Sequence, residues 1–179
     1  MRVFIPRDAA ALAVGADRVA AAIAAQAQAR GVALEIIRTG SRGMFWLEPL
    51  VEVETPGGRM GYGAVGLRDV PALFDADFQN GGWHEKSTGL VEKIPFFAKQ
   101  DRLTFARCGV IDPLDLDAYR ALGGYDGLAR AATGGGANGR GGEGLWPARA
   151  RGRWFSHGDK MGDGAHRRGG AKICRLQRR

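Results

Sequence analysis

The residues that could act as nucleophiles or metal ligands are few and widely separated in this sequence. Cys108 and Cys174 form neither a CxxC pair nor a disulfide framework, so dithiol–disulfide chemistry is excluded. His157, His166 and Cys174 match no spacing of a tetrahedral metal site. We therefore predict no catalytic, cofactor-binding or metal-binding residue in this chain, and we interpret Cys108 as a partly buried structural thiol.

The positive charge is confined to one end of the chain. The net charge is +7, yet residues 1–132 hold 15 Lys and Arg against 16 Asp and Glu, whereas residues 133–179 hold 11 against 3 and 13 of the 29 glycines. This change of composition predicts a boundary near Ala132, followed by a disordered basic tail. Its arginines, with Trp146, Trp154 and Phe155 for stacking, favour at most non-specific binding to nucleic acid.

The first part of the chain alternates between strand and helix signals. "RVFIP" and "VALEIIR" are typical of strands, and "GADRVAAAIAAQAQAR" between them predicts a helix with Val19, Ile23 and Ala27 on one face. "LVEVET", "PGG" and "RMGYG" predict a hairpin. "RDVPALFDA" predicts a last helix with Asp69 as N-cap and Pro71 in its first turn. The order is β-α-β-β-β-α, and it leaves open whether the two helices share one face of the sheet.

That order, with a glycine loop before the hairpin, resembles the thioredoxin-like ferredoxins. The resemblance implies an α/β, thioredoxin-like fold. Such ferredoxins hold a [2Fe–2S] cluster with four cysteines. Here the segment after the first strand, "IPRDAAALAV", has no cysteine, and the glycine loop offers only Ser41 and Phe45 near the second pair of positions. We therefore expect this domain to hold no cluster.

A longer motif follows at residues 88–131, "TGLVEKIPFFAKQDRLTFARCGVIDPLDLDAYRALGGYDGLARA". It resembles the segment that leads into the flavoprotein subunit of respiratory complex I, NAD-reducing hydrogenases and NAD-dependent formate dehydrogenases. Together with "RTGSRGMFWLEPLVEVETPGGR" at residues 38–59, it resembles most the β subunit of soluble molybdenum formate dehydrogenases. The resemblance covers residues 2–132.

The resemblance implies three parts: a thioredoxin-like domain at residues 1–78, a connector to a flavin domain at 79–132, and a tail at 133–179. It implies electron transfer through iron–sulfur clusters and FMN to NAD. FMN, NAD and a [4Fe–4S] cluster are expected only in the intact subunit, so we expect this chain alone to be inactive. The implied partners are an α subunit with molybdenum and a γ subunit with a [2Fe–2S] cluster. No apolar run has membrane-spanning length and no secretory signal is visible, so we expect a cytoplasmic protein.

The tail is compatible with the family's flavin domain read in the wrong frame. The family continues with "SGLRGRGGAGFPTGIKW" and then "KYVVCNADE", whereas this chain has "NGRGGEGLWP", which only imitates the phosphate-binding loop. Residues 145–161, back-translated and read one nucleotide later, permit the first motif in full, and "KICRLQRR" permits most of the second. With suitable codons a stop follows Arg179. We therefore expect residues 133–179 to be out-of-frame peptide.

Five residues are candidates for contacts with partner subunits. Four are aromatic and occur in two pairs, which we interpret as core or subunit-contact residues rather than a cofactor site. The fifth is an arginine of the glycine loop, which is either an interface anchor or an ordinary solvated side chain. They are Arg42, Phe45, Trp46, Phe96 and Phe97. The alternative to a truncated, inert subunit is a docking module that still recognises its partners, or a nucleic-acid-binding protein with a basic tail.

Overall fold

The computed structural model describes residues 1–133, and the predictions made for the tail concern residues outside this part. One compact unit spans Met1–Gly123, and a second begins at Gly124. Of the second unit, only residues 124–133 are described, and they form chiefly the helix α6, Asp126–Thr133. None of the described helices is long and apolar enough to cross a membrane.

The first unit is mixed α/β and contains a five-stranded mixed sheet. Its strands are β1 (Arg2–Pro6), β2 (Glu35–Thr39), β3 (Val51–Thr55), β4 (Gly58–Tyr62) and β5 (Ser87–Leu90), in the order β2-β1-β3-β4-β5. β1 and β2 are parallel, and the other neighbouring pairs are antiparallel. The hairpin predicted from Pro56-Gly57-Gly58 is confirmed, with Val51 paired to Tyr62 and Thr55 to Gly58.

The helices of the first unit are short except for one. They are α1 (Ala9–Ala13), α2 (Ala16–Ala29), α3 (Val70–Asp75), α4 (Pro95–Ala98) and α5 (Leu116–Ala121), with 3-10 turns at Phe45–Leu47, Phe78–Asn80 and Val91–Lys93. The predicted α2 and α3 are confirmed, but α1 was missed. Its signal is Asp8, whose side chain accepts hydrogen bonds from the amides of Ala10 and Ala11.

The two helices that the sequence predicted, α2 and α3, pack on the same face of the sheet. This settles the question that the sequence left open. Val19, Ile23 and Ala27 of α2 are buried, as their spacing predicts, beside Leu73 and Phe74 of α3. They join Val3, Ile5, Val51, Val53 and Tyr62, whose side chains alternate along the strands. Burial raises the pKa of Tyr62 to about 12, with a smaller contribution from the charge of Asp77.

The prediction that Asp69 caps α3 is right in position and wrong in its bonding. Asp69 is the residue before α3, and Pro71 lies in the first turn as predicted. Its carboxylate, however, makes no cap hydrogen bond to the helix. It accepts instead from the amide of Gly66 at 2.8 Å, because the chain turns sharply over residues 66–69.

The opposite face of the sheet is covered by the glycine loop and by the chain after β5. A small apolar cluster of Met44, Leu50 and Val91 lies there, with Leu47, Ile94 and Phe97 packed against it. β5, the edge strand that precedes this covering chain, was missed, since "STGL" carries little strand signal. Part of the segment predicted as connector thus contributes a strand to the sheet, while the predicted boundaries at 78 and 132 stay predictions.

Candidate functional site

The glycine loop between β2 and β3 is held in one shape by a buried carboxylate. Ser41 Oγ accepts from the amide of Gly43 at 2.9 Å and donates to Glu48 Oε1 at 3.1 Å. Glu48 Oε2 accepts from the amide of Leu50 at 3.1 Å. Gly43 has a φ of +85°, a conformation that side chains rarely adopt, so the glycine is required at this turn. Ser41 therefore stabilises the conformation of the loop. The loop ends at the Glu48–Pro49 peptide, which is cis.

Glu48 is one of four buried polar or charged residues in the described chain. Its burial raises its pKa above the ordinary value, and the nearby charges of Asp8 and Glu52 act in the same direction. The hydrogen bonds from Leu50 and Ser41 oppose this increase without cancelling it. The loop is thus stabilised by hydrogen bonds to a carboxyl group whose pKa is raised.

Arg42 is buried, with 4% of its side chain exposed, and lies within the chain's own ion pairs. Its Nε and Nη2 donate to the two carboxylate oxygens of Glu52 at 2.9 and 2.7 Å. Nη2 also lies 3.4 Å from Glu92. Burial alone would lower the pKa of Arg42, but the hydrogen bond and charge of Glu52 raise it above its ordinary value. The alternative of a solvated arginine is wrong, because the connector covers this face of the sheet.

Arg59 connects the same carboxylate to the chain beyond β5. Its Nη1 lies 3.4 Å from Glu52 Oε2, and its guanidinium lies 3.4 Å from the ring centroid of Phe4. It donates to the carbonyl oxygens of Gly109 at 2.9 Å and Val110 at 2.7 Å. Burial lowers its pKa below the ordinary value. Arg42, Glu52 and Arg59 therefore tie the glycine loop, the sheet and the connector together.

This buried charge cluster supports an exposed group of aromatic side chains. Phe97 is half-buried, with Arg42 5.2 Å from its ring centroid and Arg102 4.7 Å. Trp46 and Phe96 lie edge to face with centroids 4.9 Å apart, although they come from different segments. Trp46 is 60% exposed, Phe45 beside it 62%, and Phe96 45%. We call Phe45, Trp46 and Phe96 the aromatic patch.

The sequence indicated the aromatic residues of this site and Arg42, and it missed the other charged residues. Glu52, Arg59 and Glu92 were not predicted, because Glu52 alternates with buried valines and therefore resembles a solvent-facing strand residue. The apolar run "IPFF" after β5 is the signal that could have found them, since it indicates a segment that covers the second face. Whether Arg42 and the aromatic residues contact a partner stays a prediction.

The described residues offer little for covalent or metal chemistry. Within residues 1–133, no group of three or more His, Cys, Asp or Glu side chains could hold a metal ion. Cys108 is partly buried, as expected. Ser41, one of the two loop residues near the second pair of ligand positions in the ferredoxins, donates a hydrogen bond to Glu48. These residues do not fit a [2Fe–2S] cluster.

No protein-family model matches the sequence, and no curated protein matches it significantly. The features of this chain that bear on function are therefore the motifs at residues 38–59 and 88–131 and the geometry of the aromatic patch.

Proposed function

We propose that residues 1–133 are the amino-terminal domain and connector of the flavoprotein subunit of an NAD-dependent formate dehydrogenase. The motifs at residues 38–59 and 88–131 support this family. The strand order β2-β1-β3-β4, with only β1 and β2 parallel, supports a thioredoxin-like domain, as do two helices on one face. β5 then extends this domain at the edge formed by β4.

The role proposed for the domain is docking to the other subunits of the enzyme, those with molybdenum and with a [2Fe–2S] cluster. The observation that carries this role is the exposed contact between Trp46 and Phe96. Aromatic side chains held rigidly at a surface supply large apolar area at little entropic cost, and such residues dominate the energetics of protein interfaces. The buried charge cluster fixes both segments that present them.

The electron-transfer chemistry of the parent enzyme belongs to chain beyond these residues. FMN and NAD would supply hydride transfer there, and none of the described residues is assigned to them. We propose that residues 133–179 are the flavin domain read out of frame. The nucleotide sequence between Leu128 and Trp146 tests this directly: a single inserted or deleted base that restores the glycine-rich motif supports it. A gene whose alternative frame lacks that motif contradicts it.

Copurification tests the docking role. The chain is co-expressed with the molybdenum and [2Fe–2S] subunits of a formate dehydrogenase and captured by a tag. The wild-type chain should retain at least one of them. Trp46→Ala and Phe96→Ala should each weaken the free energy of binding by about 2 kcal/mol, the size of an interface hot spot, and retention should fall accordingly. Trp83→Ala is the matched control, because Trp83 is 81% exposed and lies outside the patch. Equal losses in all three variants, or no retention by the wild type, would contradict docking through this patch.

A further inference from the structure

A second feature of the first unit is an open cavity of about 520 Å³ beside the amino end of α2. It lies between that helix and the segment 64–69 that leads into α3, and residues of the aromatic patch do not line it. Its lining includes the cations Arg18, Arg68 and Lys86 and the apolar side chains of Val14 and Leu67. Cavities of this size accommodate small molecules.

The lining carries an excess of positive charge. Asp69 is its one carboxylate, and this group is already engaged by the amide of Gly66 at 2.8 Å and by Lys86 Nζ at 3.9 Å. Within residues 1–133, neither Arg18 nor Arg68 has a side-chain hydrogen bond or ion pair. Two of the arginines that line the cavity, Arg18 and Arg68, therefore have no protein anion to neutralise them within the described residues.

The position of Arg18 adds to this imbalance. It lies in the first turn of α2, where the helix dipole makes a cation unfavourable. Asp17, the acidic residue of that turn, is paired with Arg38 at 2.7 Å. The N-cap is Gly15, which provides no side-chain hydrogen bond to the free amides of the turn. A bound anion would neutralise the arginines and accept hydrogen bonds from the helix end.

We propose that this cavity binds a small molecule that carries a phosphate group. Guanidinium groups form paired, charge-assisted hydrogen bonds to phosphate oxygens, and a free helix amino end favours the same group. Val14 and Leu67 are exposed at 57% and 39%, so the rim offers apolar surface to the rest of the ligand. The site is separate from the docking role and does not depend on it.

The test is a titration of the full-length, isotope-labelled chain with inorganic pyrophosphate at about 0.15 M salt, where weak long-range attraction is screened. The backbone amides of residues 15–18 and 66–69 should shift together and saturate. Arg18→Ala and Arg68→Ala should each weaken binding about fivefold or more, as expected for the loss of one charge-assisted contact. Arg2→Ala is the matched control. It removes the same charge from a residue that does not line the cavity, and it breaks only an exposed pair with Glu54.

Three results would overturn the proposal. One is the absence of saturable shifts at residues 15–18 and 66–69. Another is a loss of affinity in Arg2→Ala as large as in the two cavity variants, which would indicate general charge attraction. The third is shifts confined to residues 134–179, which would place the binding in the basic tail. Unchanged amide spectra away from the substitution confirm that each variant is folded.

Discussion

At the scale of single residues, Glu52 is the group on which the second face of the sheet depends. It is 3% exposed and accepts from Arg42 with both carboxylate oxygens, and Arg59 lies 3.4 Å from one of them. A buried carboxylate between two guanidinium groups compensates charges that would otherwise be costly to bury. Its removal therefore affects the folded state far more than the loss of an exposed ion pair.

We predict that Glu52→Gln lowers the free energy of unfolding by about 3 kcal/mol, because the buried Arg42 and the partly buried Arg59 lose the carboxylate that both of them contact. Glu54→Gln is the matched control two residues along the same strand. Glu54 is paired with Arg2 at the surface, so this change should cost less than about 1 kcal/mol. Denaturant unfolding of the two variants measures both values. Similar losses in both would contradict the importance assigned to the buried charge cluster.

Glu48 makes stability depend on pH in a direction opposite to most carboxylates. Its pKa is raised in the folded state, so ionisation is easier in the unfolded chain. Its contribution is therefore fully present below the unfolded pKa of about 4.3 and is lost as pH rises through the folded pKa. We predict that Glu48→Gln removes this loss, so that the wild type is most stable relative to the variant in acid.

Unfolding curves between about pH 4 and 8 measure this difference, a range that begins near the unfolded pKa of glutamate. Ser41→Ala provides an internal check, since Ser41 donates a hydrogen bond that lowers the pKa of Glu48. That variant should shift the loss to higher pH. A difference between wild type and Glu48→Gln that does not vary with pH would contradict the prediction.

At the scale of elements, local sequence signals predicted most of the sheet and its two helices. Val51 and Val53 alternate with polar residues before a turn, and Gly58 in that turn has a φ of +121°. These signals specify a hairpin without help from the rest of the chain. β5 and the burial of Arg42 and Glu52 could not be predicted in this way. They depend on the return of a distant segment across the sheet: the apolar run "IPFF" indicates that such a segment exists, but no local pattern encodes the register of its return.

The connector should therefore be required for stability as well as for docking. A chain that ends at residue 78 lacks β5, Val91 and Phe97, together with the carbonyl groups of Gly109 and Val110 that accept from Arg59. We predict that residues 1–123 unfold cooperatively, whereas residues 1–78 expose the edge of β4 and lose several kcal/mol. Amide hydrogen exchange and denaturant unfolding measure both. Equal stability of the two fragments would show that the connector only rests on the sheet.

At the scale of the whole molecule, charge is distributed very unevenly along the chain. Residues 1–132 are close to neutral, with 15 basic and 16 acidic side chains, and the remaining residues carry a net charge of +8. Any attraction to nucleic acid should therefore come from the last part of the sequence. If that part is out-of-frame peptide, its attraction reflects counterion release alone and carries no preference for a base sequence.

We predict that deletion of residues 133–179 changes the net charge from +7 to −1, since 15 basic and 16 acidic side chains remain. Retention on DNA or RNA at low salt should disappear with the deletion. Before deletion, binding should fall steeply as salt rises and should differ between sequences by less than about tenfold, or roughly 1.4 kcal/mol. Titrations of both chains against several oligonucleotides at a series of salt concentrations measure this. A stronger preference for one sequence would show that the basic tail is a selected nucleic-acid-binding element and would contradict the frameshift proposal.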